Sequence, residues 1–215
     1  MIPMSKVLVI KAHPHTDQSL SLAVGDEFVK KYQLAHPEDE IIIRDLFDEE
    51  VPPLNDVTFA AWKNKKNNLP LTEEEKDLLV RHSEWLDEFV SADKYVFINP
   101  MWNHFMPAQM KAYLDVTAVT RKTFKYAPDG KVIGLLSDKK VMHIQSAGGL
   151  YHANGFDDSA AKEDFSTNYL DYEMNFYGIN DVDHIFIEGA DAMPDKRQDI
   201  LNAALKKADE KAKLF

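Results

Sequence analysis

The sequence lacks cysteine altogether, and this absence excludes several chemistries. Without a thiol there can be no disulfide, thiolate nucleophile, thiolate zinc site or cysteine-ligated iron–sulfur cluster. Long apolar runs are absent too, and none approaches the roughly 20 residues that a membrane-spanning helix needs. The first residues show no basic segment followed by an apolar one. We therefore expect a soluble, cytoplasmic protein that does not associate with membranes.

Positive charge is also scarce. The 215 residues include 25 Lys and Arg against 36 Asp and Glu, which gives a formal net charge of −11. Nucleic-acid binding needs clustered cations against phosphate, so we expect no nucleic-acid partner. An apolar share of 45% and a charged share of 28% are ordinary for a globular protein. The length suits a single α/β domain over 1–215.

Short apolar runs are what the sequence does contain, and they are nearly continuous, as in strands covered on both faces of a parallel sheet. The runs are 7–10, 41–43, 95–98, 141–144 and 185–187. Helical patterns separate them, at 20–34, 72–92, 107–117, 163–177 and 194–214. Thr72 and Glu75 form a capping box at the start of the second helix, and Gly178 stops the fourth. The alternation predicts a doubly wound, five-stranded parallel sheet of order 2-1-3-4-5, with helices on both faces.

Two long connections interrupt this pattern, at about 47–71 and 121–139. The first contains a basic patch at 63–66, and connections of this length are usually functional or partly disordered. The second contains Phe124 and Tyr126, which we expect to be exposed and to mark an interface or a ligand wall. Ordinary packing within the domain is the alternative explanation of these rings. The last helix, rich in Ala and Lys, is interpreted as a solvated amphipathic helix.

The first candidate site is the polar loop 11–19, which follows the first strand and opens the first helix. A helix N-terminus has unpaired N–H groups and a partial positive charge, and therefore binds phosphate readily. His13, Gln18 and Ser19 can add side-chain donors. Neither G-x-G-x-x-G nor G-x-x-x-x-G-K is present, which favours a mononucleotide such as FMN over a dinucleotide. An ordinary capped connection is the alternative explanation of this loop.

Two further loops follow the third and fourth strands. Pro100, Trp102 and Asn103 provide a stiff turn, a ring wall and backbone polar groups, which suit a flat heteroaromatic ligand at the carboxyl edge of a sheet. The Gly148-Gly149 pair lets the backbone approach a ligand and can aim N–H groups at it. A tight turn with positive φ is the alternative explanation of the glycines. Because all three loops end neighbouring strands, we expect them to converge on one crevice.

The histidines support fewer conclusions. His13 and His15 form an H-x-H pair, but spacing supplies no third ligand, so no metal site is predicted. His143 lies inside an apolar run, and we interpret it as a core histidine with satisfied hydrogen bonds. His104 and His152 fall in the crevice loops, where either could contact a substrate.

Taken together, these features resemble the FMN-dependent NADH azoreductase and NAD(P)H:quinone oxidoreductase family, which is flavodoxin-like. The resemblance extends over nearly the whole chain and depends on the segments 6–12, 17–19, 100–103, 122–126, 148–151 and 177–179. It implies an enzyme that binds FMN and carries two electrons from NADH or NADPH to quinones and azo compounds by a ping-pong cycle. It also implies a homodimer with two FMN sites at the subunit interface.

By position, the resemblance assigns cofactor contacts to all three loops: His13, Asp17, Gln18, Ser19, Pro100, Met101, Trp102, Asn103, His104, Ser146, Ala147, Gly148 and Gly149. It assigns a substrate cavity, partly formed by the other subunit, to the aromatic residues Phe124, Tyr126, Tyr151 and Phe176. No side chain receives a catalytic role, because hydride transfer is centred on the flavin. A flavodoxin-type electron carrier, an NAD(P)H:flavin reductase and a flavin-free scaffold stay open as alternatives.

Overall fold

The structure is a computed structural model that describes residues 4–14, 16, 18–156 and 158–215. The strands are β1 (Lys6–Lys11), β2 (Glu40–Asp45), β3 (Lys94–Pro100), β4 (Phe124–Tyr126), β5 (Val132–Gly134), β6 (Lys140–Ala147) and β7 (Asp181–Glu188). The helices are α1 (Leu20–Ala35), α2 (Asp56–Lys66), α3 (Glu73–Ser91), α4 (Ala108–Thr117), α5 (Phe165–Tyr177) and α6 (Arg197–Ala212). Short 3₁₀ turns at Ala161–Glu163 and Pro194–Lys196 precede α5 and α6.

Five of these strands form one parallel sheet in the order β2-β1-β3-β6-β7. Counted along the chain within that sheet, the order is 2-1-3-4-5, so the predicted fold class is confirmed. The remaining two strands, β4 and β5, form a separate antiparallel hairpin. None of the helices in the described ranges is long and apolar enough to cross a membrane.

The central strands bury both of their faces, which explains why their sequences are apolar throughout. In β1, Val7 and Val9 join a core that also contains residues of α1 and α6. Leu8 and Ile10 point to the opposite side, into a core with residues of α3, α4 and α5. The edge strand β2 is covered less well, and its Ile43 is 51% exposed.

Local hydrogen bonds cap the N-termini of α1 and α3 at the positions that the sequence predicts. The Ser19 hydroxyl accepts from the Leu22 N–H at 3.2 Å and so caps α1. At α3 both halves of the Thr72–Glu75 capping box are formed. The Glu75 carboxylate also accepts from the Asn64 amide at 2.8 Å, which connects the end of α2 to the start of α3.

The long connection 47–71 contains a helix that the sequence analysis missed. Asn55 caps α2 by accepting from the Thr58 N–H. The basic patch 63–66 lies in the last turn, where lysines stabilise the negative end of the helix dipole. The patch is therefore part of an ordinary helix end.

The second connection, 121–139, folds back on α5 as the β4–β5 hairpin. A Cβ added at Gly134 would lie 2.2 Å from the Gly178 nitrogen, so β5 needs glycine for this close approach. Gly178 ends α5 at φ +96°, as predicted. The expectation for Phe124 is wrong, because its ring packs on Phe176 at 4.6 Å between centroids and is only 8% exposed. Tyr126 is 63% exposed, as expected.

Candidate functional site

One pocket at the carboxyl edge of the sheet receives all three predicted loops and a fourth segment that follows β7. Its lining residues are His13, Thr16, Gln18, Ser19, Leu20, Pro100, Met101, Trp102, Ser146, Ala147, Gly148, Ala190, Asp191 and Arg197. The space within this lining is about 200 Å³. The three loops converge because the strands they follow, β1, β3 and β6, are neighbours in one parallel sheet.

Some predicted site residues lie outside this lining. Asn103, His104 and Gly149 belong to the same loops but are not among the lining residues. Asp17 is outside the described residues. The Tyr151 hydroxyl lies 3.5 Å from Nδ1 of His104, at an exposed position.

The other predicted aromatic residues are grouped elsewhere. Phe124, Tyr126 and Phe176 lie together on the hairpin and α5, and none of them lines the pocket. Their place in a substrate cavity shared between subunits stays a prediction.

The first loop brings the N-terminus of α1 to the pocket. The Ser19 N–H donates to the Thr16 carbonyl at 3.0 Å, and this turn leads directly into the helix. Ser19 and Leu20 both line the pocket. The His13 ring is nearly buried, with its centroid 6.1 Å from that of Trp102. The loop thus presents a helix N-terminus and polar side chains to the same space.

The second loop contains a tight two-residue turn that the sequence did not reveal. The backbones of Trp102 and Phe105 exchange hydrogen bonds of 2.8 and 3.0 Å. Between them, Asn103 and His104 have φ values of +51° and +64°. Positive φ at both central positions defines a type I′ turn. Positive φ is uncommon for residues with a Cβ, but asparagine and histidine are both among the residues that adopt it most often.

The third loop uses glycine for space, which corrects one expectation. Neither Gly148 nor Gly149 is among the glycines with positive φ, so the alternative explanation by a positive-φ turn is wrong. A Cβ on Gly148 would lie 2.5 Å from Oδ2 of Asp191, and one on Gly149 would lie 3.3 Å from the Tyr151 ring. Among the described residues, neither glycine N–H donates to a protein acceptor, so both can serve a ligand.

A buried carboxylate, which the sequence analysis did not single out, holds this third loop. Glu188, at the end of β7, accepts from the N–H groups of Tyr151 and His152 at 3.0 and 2.9 Å. It also contacts Nδ1 of His152 at 2.7 Å. Burial by itself would raise the pKa of Glu188, but the hydrogen bonds from His152 and the two amides outweigh it, and the pKa is lowered.

Behind the loop lies a chain of buried polar side chains. Asp164 caps α5 and accepts from the Gln145 amide at 2.7 Å. Gln145 in turn accepts from Asn99, whose oxygen lies 3.0 Å from Nε2 of His143. His143 is fully buried, as expected, but only one ring nitrogen is satisfied, because Nδ1 has no partner among the described residues. Burial lowers the pKa of His143 well below its usual value, so the ring stays neutral.

The fourth segment adds charged groups to the pocket. Arg197, the first residue of α6, donates from Nη2 to the Gln18 carbonyl at 3.0 Å. Its Nη1 lies 3.6 Å from Oδ1 of Asp191. The interpretation of α6 as only a solvated helix is therefore wrong at its first turn. Within the described ranges, no cluster of three or more His, Asp or Glu side chains could hold a metal ion.

The chain is similar to proteins of known kind. Residues 5–212 match the family described as having a flavodoxin-like fold. FMN-dependent NADH:quinone oxidoreductase 2 of Lactiplantibacillus plantarum is 51% identical over 213 residues, which cover 99% of this chain and 100% of the relative. FMN-dependent NADH:quinone oxidoreductase 1 of Lactococcus lactis subsp. lactis is 49% identical over 216 residues, with coverages of 99% and 100%.

Solved structures agree with these relatives. An FMN-dependent NADH-azoreductase from Bacillus anthracis str. Ames Ancestor, solved in complex with FMN, superposes with a TM-score of 0.90 at 32% identity. The alignment covers 97% of this chain and 98% of that one. Fold and pocket define a flavodoxin-like protein. Within that class, the chain belongs to the family of FMN-dependent NADH:quinone oxidoreductases, so the predicted family is confirmed.

Proposed function

We propose that this protein is an FMN-dependent oxidoreductase that passes two electrons from NADH to quinones and azo compounds. The observation that carries the proposal is the convergence of the loops after β1, β3 and β6 on a single pocket. Full-length relatives named FMN-dependent NADH:quinone oxidoreductase and an azoreductase solved with FMN support it. Structure and relatives thus agree with the function predicted from the sequence.

The described residues fit FMN in the chemistry of their donors. At one end of the pocket, the α1 N-terminus, the Ser19 hydroxyl and the Arg197 guanidinium suit a phosphate. Trp102 is 41% exposed and offers a ring wall. The free N–H groups of Gly148 and Gly149 suit the polar edge of a heteroaromatic ring. When bound, FMN supplies the chemistry, since it can accept a hydride from a nicotinamide and pass two electrons to an acceptor.

The chain's own residues then bind and orient the cofactor and substrate. We assign the phosphate and ribityl contacts to His13, Asp17, Gln18 and Ser19. Residues flanking the ring are Pro100, Met101, Trp102, Asn103 and His104, and those at its polar edge are Ser146, Ala147, Gly148 and Gly149. Glu188 acts indirectly, because its bonds to Tyr151 and His152 hold the backbone beyond the paired glycines.

The cofactor assignment has a direct test. The purified protein should be yellow, and flavin released by heat should run as FMN rather than FAD on chromatography. FAD, or no flavin after reconstitution, would contradict the proposal. Anaerobic NADH should bleach the bound flavin, whereas a flavodoxin-type carrier would not be reduced by NADH alone.

A twofold dimer is part of the proposal. The described lining encloses about 200 Å³, below the roughly 300–1,000 Å³ of typical small-molecule sites, so one chain surrounds only part of an FMN. Tyr126 and Tyr172 expose aromatic rings on the hairpin and α5, and such surface could complete a second subunit's site. Light scattering should give about twice the chain mass of 24.6 kDa. A monomer that reduces quinone at full rate would refute the dimer.

The proposed cycle is ping-pong, with donor and acceptor taking turns in one pocket. Double-reciprocal plots should give parallel lines. Stopped-flow mixing should show reduction by NADH alone and then separate reoxidation by a quinone. If electrons move only when donor and acceptor are bound together, the ping-pong cycle is wrong. We also propose a cytoplasmic location, where NADH is regenerated, and cell fractionation tests it.

A further inference from the structure

We infer that Arg197 makes the pocket selective for the phosphorylated flavin, FMN, over riboflavin. This inference rests on the proposed function and extends it to a residue outside the three predicted loops. It concerns the charge and the donors that the first turn of α6 places beside the first loop.

The position of Arg197 points to the phosphate end of the pocket. Arg197 lines the pocket together with Gln18 and Ser19. Its Nη2 donates to the Gln18 carbonyl at 3.0 Å. The guanidinium therefore contacts the residue that directly precedes Ser19, the cap of α1. A guanidinium carries five donor hydrogens, and the contact with Gln18 leaves others for an anion.

The charges that line the pocket make Arg197 important for the binding of an anionic ligand. Within the described lining, it is the one Lys or Arg, and Asp191 is the one carboxylate. The whole chain has a net charge of −11, which repels an anionic ligand unless a local cation offsets it. A phosphate carries up to two negative charges, whereas riboflavin carries none at neutral pH. Removal of the Arg197 charge should therefore affect the two flavins differently.

Two packed helices fix the place of Arg197 relative to the first loop. Ala204 and Ala208 of α6 are buried in the same core as Val24 and Phe28 of α1. Both helices follow parallel strands, so both N-termini lie at the carboxyl edge of the sheet. Helix packing thus fixes the backbone of Arg197, and the contact with the Gln18 carbonyl orients its guanidinium, as an anion subsite requires.

A simpler role for Arg197 would be to hold the loop through Gln18 alone. That role predicts a different result. If Arg197 only holds the loop, loss of its hydrogen bond to Gln18 should weaken the binding of FMN and of riboflavin by similar factors. Both flavins share the ribityl chain and the ring. Selective loss of FMN affinity separates the anion subsite from this structural role.

The experiment measures binding of FMN and riboflavin to flavin-free protein by flavin fluorescence. Arg197→Met should weaken FMN binding about tenfold, the scale of a lost hydrogen bond to a charged group. Riboflavin binding should change less than about twofold. Lys196→Met is the matched control, because it removes the same charge from an exposed neighbour that does not line the pocket. It should alter neither affinity more than about twofold.

A second variant, for which the expected change in FMN affinity is opposite, tests the inference if Arg197→Met does not fold. Asp191→Asn removes the carboxylate 3.6 Å from Arg197 and should strengthen FMN binding about two- to threefold, with riboflavin unchanged. Equal losses for both flavins in Arg197→Met, or an unchanged FMN-to-riboflavin ratio in either folded variant, would overturn the inference. If the unsubstituted protein itself binds no FMN, the proposed function fails as well, which distinguishes the two failures.

Discussion

Trp102 presents an aromatic face to the pocket that its own chain leaves partly uncovered. The ring is held from two sides, by Phe47 in an edge contact at 6.3 Å and by His13 at 6.1 Å. Trp102 lines the pocket, and 41% of the residue is exposed. The side chain is thus in contact with its neighbours and still leaves a large part of its surface to a ligand.

Replacement of Trp102 by Ala should therefore weaken flavin binding and leave the fold intact. Burial of this face by a flavin is worth roughly 1.5–3 kcal/mol, or about tenfold to a hundredfold in affinity. Fluorescence titration with FMN measures the change, and thermal unfolding of the flavin-free protein serves as the folding check. Trp102→Phe keeps a ring wall and should retain much of the affinity. Unchanged FMN affinity in Trp102→Ala would show that Trp102 is not a wall of the flavin site.

Glu188 is a second residue whose replacement is informative. Glu188→Gln removes the charge that accepts from Tyr151 and His152, and bonds to a charged group are worth roughly 1.5–3 kcal/mol. We expect urea unfolding at pH 7 to show a loss of about that size, with weaker FMN binding. The pKa of Glu188 is lowered from 4.5 in the fold, so its stabilisation is present above pH 4.5 and is lost as the pH falls below it.

A control variant and the direction of the pH effect both test the role of the Glu188 charge. Glu163 is exposed on the 3₁₀ turn before α5, and Glu163→Gln should change little at either pH. The difference between Glu188→Gln and the unsubstituted protein should shrink between pH 5 and pH 3. A constant difference over that range would show that the Glu188 charge is not what holds the loop.

Among the elements, the type I′ turn 102–105 invites a test of backbone strain. His104 has φ +64°, a conformation that costs about 1–2 kcal/mol for residues with a Cβ and more for β-branched ones. His104→Gly should preserve or slightly raise the free energy of unfolding, whereas His104→Val should lower it by about 2 kcal/mol or more relative to Gly. Both variants lose the contact with Tyr151, so the comparison isolates the backbone. Equal stabilities, measured by urea unfolding, would mean that the turn relaxes without cost.

Elements also differ in how well they could be predicted. The five sheet strands follow from their apolar runs, because strands buried on both faces consist mostly of apolar residues. Helix α2 was missed, although Asn55 as a cap and lysines in the last turn are recognisable end signals. The connection was interpreted from its length and its basic patch instead. Phe124 was misjudged because the residue that covers it, Phe176, lies on α5, 52 positions further along the chain.

At the scale of the whole molecule, buried titratable groups set the response to acid. Burial lowers the pKa of His143 well below its usual value and that of His184 to about 4. Burial raises the pKa of Asp171 to about 6, and its carboxylate lies 3.3 Å from Nε2 of His184. A histidine with a lowered pKa loses stability as the pH falls below about 6.5, whereas an acid with a raised pKa gains it below about 6.

These opposite pH dependences of stability partly cancel in the unsubstituted protein, and one substitution should disturb the cancellation. Between pH 6 and pH 4 the effects of Asp171 and His184 oppose one another, and His143 makes the unsubstituted protein lose stability gradually. Asp171→Asn removes the favourable contribution, so its unfolding temperature should fall more steeply over that range. Asp77→Asn, at an exposed position on α3, is the control and should follow the unsubstituted protein. A slope in Asp171→Asn equal to that of the control would contradict the assignment.

The sequence by itself determined the strand order, most helix ends and the three loops that meet at the pocket. These are properties of local patterns, since apolar runs, caps and the rule for parallel sheets depend on neighbouring residues or on the order of elements. Only the tertiary structure decided the rest. Arg197 meets the Gln18 carbonyl across 179 positions of the chain, and Glu188 holds an amide 37 positions away. No local pattern encodes such pairs, because they exist only once α6 has packed on α1 and β7 has paired with β6.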